Sequence, residues 1–234
     1  MNIARRFCDI GYFCCVIMLA GCASVSSQEP SVTELRQRAE NGDTVSQRLL
    51  GEDYDFGRGV QQSYTDAAKW YQMAADHGDA TAQNNLGSFY QYGLGVATNY
   101  SKAVELFKQA ATQNDTLAQS NLGYMSDYGL GVPMDKVTAD SWYRRAADQG
   151  CPEAMLNLGV SYYMKGQGVD RDLSKAYMWL DSARWLTQFN SNMKTKWRIR
   201  GELDKLKQHM TPEEIREGER LSKEWCDNYL KTHK

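Results

Sequence analysis

The pair Leu-Gly stands at Leu50-Gly51, Leu86-Gly87, Leu122-Gly123 and Leu158-Gly159, 36 residues apart each time. A fixed period of this length means that one supersecondary unit recurs, too small to bury its own apolar face, so that the units must stack. Other columns keep the spacing: Ala67, Ala103 and Ala139; Trp70, Leu106 and Trp142; Tyr71, Phe107 and Tyr143; Ala74, Ala110 and Ala146. A G-x-G-V stretch follows each Leu-Gly, at Gly57 to Val60, Gly93 to Val96, Gly129 to Val132 and Gly166 to Val169. The last arrives one residue late, which puts an insertion near Met164 and Lys165; the pattern then resumes with Ala176, Trp179, Leu180 and Ala183.

Within a unit, Ala67, Trp70, Tyr71, Ala74 and Ala75 recur at the spacing of one helix face. This helix, called A, is expected to close at Gly78, with Gly42, Asn114 and Gly150 as counterparts, because glycine and asparagine most readily take the left-handed conformation. A second helix, B, is expected to begin at once behind a capping aspartate, Asp43, Asp79 or Asp115. In the fourth unit Cys151 replaces that cap and Pro152 suits the first helical position. Helix B presents Ala82, Leu86, Phe89 and Tyr90 on one face, with Gly87 where a large side chain would hold neighbouring helices apart. Counting back one period from Trp70 and Ala74 gives Glu34 and Arg38, so the first helix A has an altered face suited to a solenoid end. At the other end, Trp185 to Gln208 and Thr211 to Tyr229 are predicted as longer helices, the second opened by a Thr211/Glu214 capping box with Pro212 between.

The units AAKWYQMAADHGDATAQNNLGSFYQYGLGV, AVELFKQAATQNDTLAQSNLGYMSDYGLGV and ADSWYRRAADQGCPEAMLNLGVSYYMKGQGV resemble the Sel-one-like repeat family, relatives of tetratricopeptide repeats. The resemblance covers about Asn41 to Ala183, and MTPEEIREGERLSKEW looks like the terminal helix often found in bacterial members. It implies an all-α fold, an α-solenoid of antiparallel helix pairs in a right-handed superhelix, used mostly as a scaffold for protein partners. The expected organisation is a repeat solenoid over residues 32–184 and C-terminal capping helices over 185–234.

Residues 1–21 have the layout of a secretory signal, with Arg5 and Arg6 ahead of an apolar run from Gly11 to Ala20 too short to remain as a bilayer-spanning helix. The run ends in Leu19-Ala20-Gly21-Cys22, which resembles the lipobox of bacterial lipoproteins, where Cys22 would be lipidated and become the new N-terminus. Ala23 after it, rather than aspartate, resembles the pattern sorted to the outer membrane. Residues 22–31 then serve as lipidated cysteine and flexible tether, and the membrane is met through the lipid alone. Processing leaves Cys151 and Cys226, for which two unpaired thiols are favoured over a disulfide.

A formal net charge of −2 and pI near 6.0 exclude an electrostatic footprint for nucleic acid. The G-x-G stretches lack the Lys-Ser/Thr of a phosphate loop and occur four times, so they punctuate the repeat. Ser191 to Lys194 spells S-x-x-K without the S-D-N or K-T-G that penicillin-recognising enzymes add. Members of the family linked with penicillins carry a cysteine pair in each unit, and this chain does not. His77, His209 and His233 have no partners at metal spacing, and no cofactor is expected. Partner contacts are expected on the face of helix A opposite its apolar stripe: Lys69 and Gln72, Glu105 and Lys108, Ser141 and Arg144, with Arg145 beside them. Gln72, Lys108 and Arg144 would form a column able to hold an acidic or extended segment of a partner; the alternative is an ordinary solvated face. The functional expectation is a non-enzymatic adaptor at the periplasmic face of the outer membrane. An immunity protein against a toxin delivered to the periplasm is the second expectation, and a β-lactam or cell-wall hydrolase the third.

Overall fold

The computed structural model describes residues 31–163, 170–188 and 193–233. The signal segment, Cys22, the tether up to residue 30, the insertion near Met164, the Gly166 to Val169 stretch and Ser191 lie outside the described residues. Among the described residues eleven helices follow one another: α1 (Val32–Glu40), α2 (Thr44–Phe56), α3 (Tyr64–Asp76), α4 (Ala80–Tyr92), α5 (Tyr100–Thr112), α6 (Thr116–Tyr128), α7 (Lys136–Asp148), α8 (Pro152–Tyr163), α9 (Leu173–Thr187), α10 (Met193–Lys207) and α11 (Pro212–Thr232). No strand occurs among the described residues. The fold is an α-solenoid in which α1, α3, α5, α7 and α9 are the A helices and α2, α4, α6, α8 and α10 the B helices.

The boundaries arise from local chemistry. Asp43, Asp79 and Asp115 each accept a hydrogen bond from the backbone N–H three residues on, satisfying an orphan donor at the start of α2, α4 and α6. Ser63, Asn99, Asp135 and Asp172 do the same for α3, α5, α7 and α9, a second capping column at the start of helix A. The helices α1, α3, α5 and α7 are each closed by a left-handed residue, and at Asn114 (φ 66°) a non-glycine takes the role, whereas Gln188 after α9 stays right-handed. The loop after α4 shows why the other turn needs two glycines. Gly93 (φ 71°) ends the helix, and Gly95 (φ 65°) lies so close to the first turn of α3 that a Cβ would stand 2.3 Å from the Tyr64 carbonyl carbon.

The Leu-Gly column sets the packing. A Cβ on Gly51, Gly87 or Gly123 would lie 2.6–2.7 Å from the ring of Tyr71, Phe107 or Tyr143, and one on Gly159 would lie 2.5 Å from Leu180 Cγ. Each of these rings is essentially fully buried, as is Leu180. Among neighbouring A and B helices, the most extensive pairs are therefore α2 with α3, α4 with α5, α6 with α7 and α8 with α9. The tighter unit is a B helix with the A helix that follows it, whereas the sequence units quoted above begin with helix A.

The C-terminal part departs from the predicted helices. Trp185 belongs to α9, which ends at Thr187, and a separate helix α10 begins at Met193. The intervening Asn190-Ser191-Asn192 favours turns over helix interiors. The capping box at Thr211 and Glu214 forms as expected, with Pro212 at the first position of α11. Instead of packing on α10 as the next A helix would, α11 lies along α9. It runs parallel to it: Ser174 Oγ donates to the Glu214 carbonyl near one end, and Ser222 Oγ donates to Asp181 Oδ2 (2.8 Å) two turns on. A Cβ on Gly218 would meet the Tyr177 side chain at 2.7 Å, so the two helices approach as closely as glycine allows.

Gly87→Leu is expected to destabilise the protein by about 1–3 kcal/mol through overpacking against Phe107, and Phe107→Ala alone by about 3–5 kcal/mol through a cavity. Urea denaturation of the double variant should show a loss smaller than the sum, since the new leucine fills the vacated space. Strict additivity would show that the two positions do not share one site.

Candidate protein-binding face

The face opposite the apolar stripe of helix A is built by α3, α5, α7 and α9. On α3, Lys69 is exposed and pairs with Asp66 (2.9 Å), while Gln72 donates to Asp76 (2.7 Å). The Asp66 carboxyl is held below its usual range, first by the hydrogen bond from Ser63 and then by Lys69. On α5, Glu105 pairs with Lys102 (3.2 Å), and Lys108 stands exposed. On α7, Ser141 Oγ donates to the Thr138 carbonyl, and Arg144 pairs with Asp140. Arg145 reaches across to the preceding unit, donating to Asn114 Oδ1 (3.0 Å) with its guanidinium 5.8 Å from the Trp142 ring centre.

All seven expected residues thus lie on the A helices, but most of their polar contacts are made within their own helix. The structure joins Arg145 to the neighbouring unit, while Gln72 and Arg144 bond to Asp76 and Asp140 of their own helices.

The same face on α9 shows how it can be covered. Allowing for the inserted residue, Asp181 occupies the column of Gln72, Lys108 and Arg144, and Ser182 the column of Arg145. Asp181 accepts the Ser222 hydroxyl of α11, and Ser182 Oγ lies 3.3 Å from the same hydroxyl. Ser182 is wholly buried, while Met73, in the same column on α3, is 43% exposed. Gln109 and Arg145 complete that open column on α5 and α7. Met73 and Gln109 escaped the sequence argument, although their spacing of 36 with Arg145 carried the signal.

A second set was also missed. Gln47, Gln83 and Gln119, buried on successive B helices, receive the residue that ends the next A helix. His77 Nδ1 lies 3.1 Å from Gln47 Oε1, Gln113 donates to Gln83 Oε1 (2.9 Å), and Gln149 donates to Gln119 Oε1 (2.8 Å). Gln47 and Gln83 also donate to the carbonyls of Ala39 and Ala75, tying helix B to the helix A before it. Met155 stands in this column in the fourth unit, so the ladder ends there. His77 is accordingly a structural residue at a helix end.

Cys151, buried, and Cys226, half-buried, each carry a free thiol. Burial, and then the Glu153 carboxylate, push the Cys151 thiol up to about 12, far from a thiolate nucleophile at neutral pH. No cluster of three or more His, Cys, Asp or Glu able to hold a metal occurs among the described residues. No helix among them is long and apolar enough to cross a membrane.

These features define a repeat solenoid whose A helices present an open face, covered at one end by the chain's own last helix. The Sel1 repeat model matches residues 44–79, 80–115, 116–151 and 152–184, and the chain belongs to the Sel1 repeat family. Its boundaries coincide with the B-then-A units defined by packing. Among solved structures, the chain is similar to c5321, a protective antigen present in uropathogenic Escherichia coli strains and displaying an SLR fold. The two are 34% identical with a TM-score of 0.75, over 86% of this chain and 42% of that one. This chain therefore corresponds to less than half of the antigen. It is also similar to a Sel1 repeat protein from Oxalobacter formigenes, with 35% identity over 54% of this chain and 96% of that one and a TM-score of 0.49. Immunity protein Pa5087 from Pseudomonas aeruginosa matches at 21% identity and a TM-score of 0.48, over 86% of this chain and 73% of that one, a likeness too distant to bear on function. No curated protein matches the chain.

Gln83→Ala removes the acceptor of Gln113 and the donor to Ala75, and is expected to lower stability by about 1–3 kcal/mol in chemical denaturation. An unchanged midpoint would show that the glutamine ladder does not help hold the units together.

Proposed function

We propose that the chain is a non-enzymatic adaptor that captures a protein partner on the open face of α3, α5 and α7, and that lipid at Cys22 holds it at the periplasmic face of the outer membrane. Sel1 repeat proteins serve as protein-interaction scaffolds, which supports the class of function. The observation that carries the site is α11: on α9 the Asp181 and Ser182 positions of this face already hold a helix. On α7 and α5 the corresponding columns end in Arg144, Arg145, Lys108 and Gln109, which face solvent wholly or in part. Their cations suit an acidic segment of the partner, whose charge would compete with Asp140 for Arg144 and with Asn114 for Arg145.

Pull-down from envelope extract with the Cys22→Ser chain should capture a discrete protein, and Lys108→Glu/Arg144→Glu/Arg145→Glu should weaken that capture at least about tenfold with the helical circular dichroism intact. Undiminished capture would remove this face from the account. In cells, Cys22→Ser should release the protein from the membrane fraction, and retention there would exclude Cys22 as the anchor.

A further inference from the structure

The outer side of α10 is a separate surface. Each earlier B helix packs its glycine against the next A helix, but α11 is seated on α9, and among the described residues no side chain comes within 4 Å of where a Cβ on Gly201 would stand. Thr195, Ile199, Leu203 and Leu206 form the buried stripe of α10. At about 100° per residue, Trp197 points directly away from that stripe, with Met193 one turn before it and Lys194 and Arg200 on either side. Lys196 and Arg198 stand at the flanks. Trp197 is 64% and Met193 58% exposed, and Lys194, Arg198 and Arg200 are exposed as well.

The charge on the first two turns of this surface is uncompensated, and Asp204, exposed two turns beyond Trp197, is the acid on the same side. Lys194, Lys196, Arg198 and Arg200 fall within seven residues that contain no acid, in a chain whose formal net charge is −2. None of the four forms an ion pair among the described residues. The first acid of α10, Glu202, is already engaged by Lys205 (2.8 Å). On α11, by contrast, Arg216 pairs with Glu213, and Arg220 with Glu217 and Glu224.

We infer that the outer side of α10 is a docking surface for an anionic phospholipid bilayer. An indole and a thioether at the crest of the helix would enter the interfacial region, where tryptophan is favoured. The four flanking cations would then lie at the level of the headgroup phosphates, where each adds attraction that salt screens. Nucleic acid fits less well, because the cations occupy barely two helical turns of an otherwise acidic molecule. The inference is independent of the adaptor reading and of the lipid at Cys22, and concerns a second contact with the membrane made by the folded part.

The test uses the Cys22→Ser chain, so that no acyl group contributes, in co-sedimentation with vesicles of phosphatidylethanolamine and phosphatidylglycerol and with vesicles of phosphatidylcholine alone. Binding is expected to the first and not the second, and to decline as salt is raised. Lys194→Glu/Arg198→Glu/Arg200→Glu should lower partitioning at least about tenfold. Trp197→Ala, which removes an exposed side chain and leaves the buried stripe intact, should weaken it as well. Failure to bind either vesicle, equal binding to both, or undiminished binding by the charge-reversed variant at unchanged helicity would overturn the inference. So would tighter binding to single-stranded RNA than to the anionic vesicles.

Discussion

A ring pressed onto a helix glycine is the contact on which the rest of the solenoid depends. Tyr71, Phe107 and Tyr143 each lie where a Cβ on the facing Gly51, Gly87 or Gly123 would otherwise be. Because the ring fits only over the glycine, each contact fixes the sliding register of one helix pair and the depth to which the helices approach. With register set in this way, the glutamines of α2, α4 and α6 meet the residue that ends the next A helix, and the loop glycines fall against the start of the A helix before them. In the fourth pair Leu180 replaces the ring, and in the same unit the cap is Cys151 and the ladder position is Met155. That unit keeps the contact in an aliphatic form and gives up its polar supports.

The same constraint explains why α11 matters for function. An A helix has two faces committed to the B helices beside it, leaving one face for anything else. On α9 that remaining face is filled by α11, with Gly218 against Tyr177 and Ser222 against Asp181 and Ser182. On α3, α5 and α7 it is open. The departure of α11 from the B-then-A order also leaves α10 bare, so one choice in packing produces both the covered inner end and the exposed basic helix.

Much of the fold was legible in the sequence because its determinants recur. A capping aspartate, a left-handed closing residue and a glycine opposite a ring each appear in several copies, and agreement among copies identifies positions that would be ambiguous alone. The buried glutamines recurred at the same period, but a polar residue in a helix reads as solvent-facing until its burial is seen. Which neighbour a B helix grips more tightly was not legible, since the repeat period is the same for either frame. The position of α11 lay beyond the periodic region, where no column exists to align; Gly218, Ser222 and Cys226 suggest a close-packed side but do not name the helix it meets. At the candidate site, the sequence placed Lys69, Gln72, Glu105, Lys108, Ser141, Arg144 and Arg145 on the A helices, while the ion pairs that engage several of them depend on side-chain geometry.

The central claim is that the open face of the A helices, rather than the loop edge of the solenoid, receives the partner. In-cell photo-crosslinking decides between them most directly, with the reactive residue placed at Lys108 on the face or at Tyr92, which is 66% exposed where α4 meets its loop. The expected result is a discrete crosslinked species from position 108 and none from position 92. A partner adduct from position 92 alone would contradict the account.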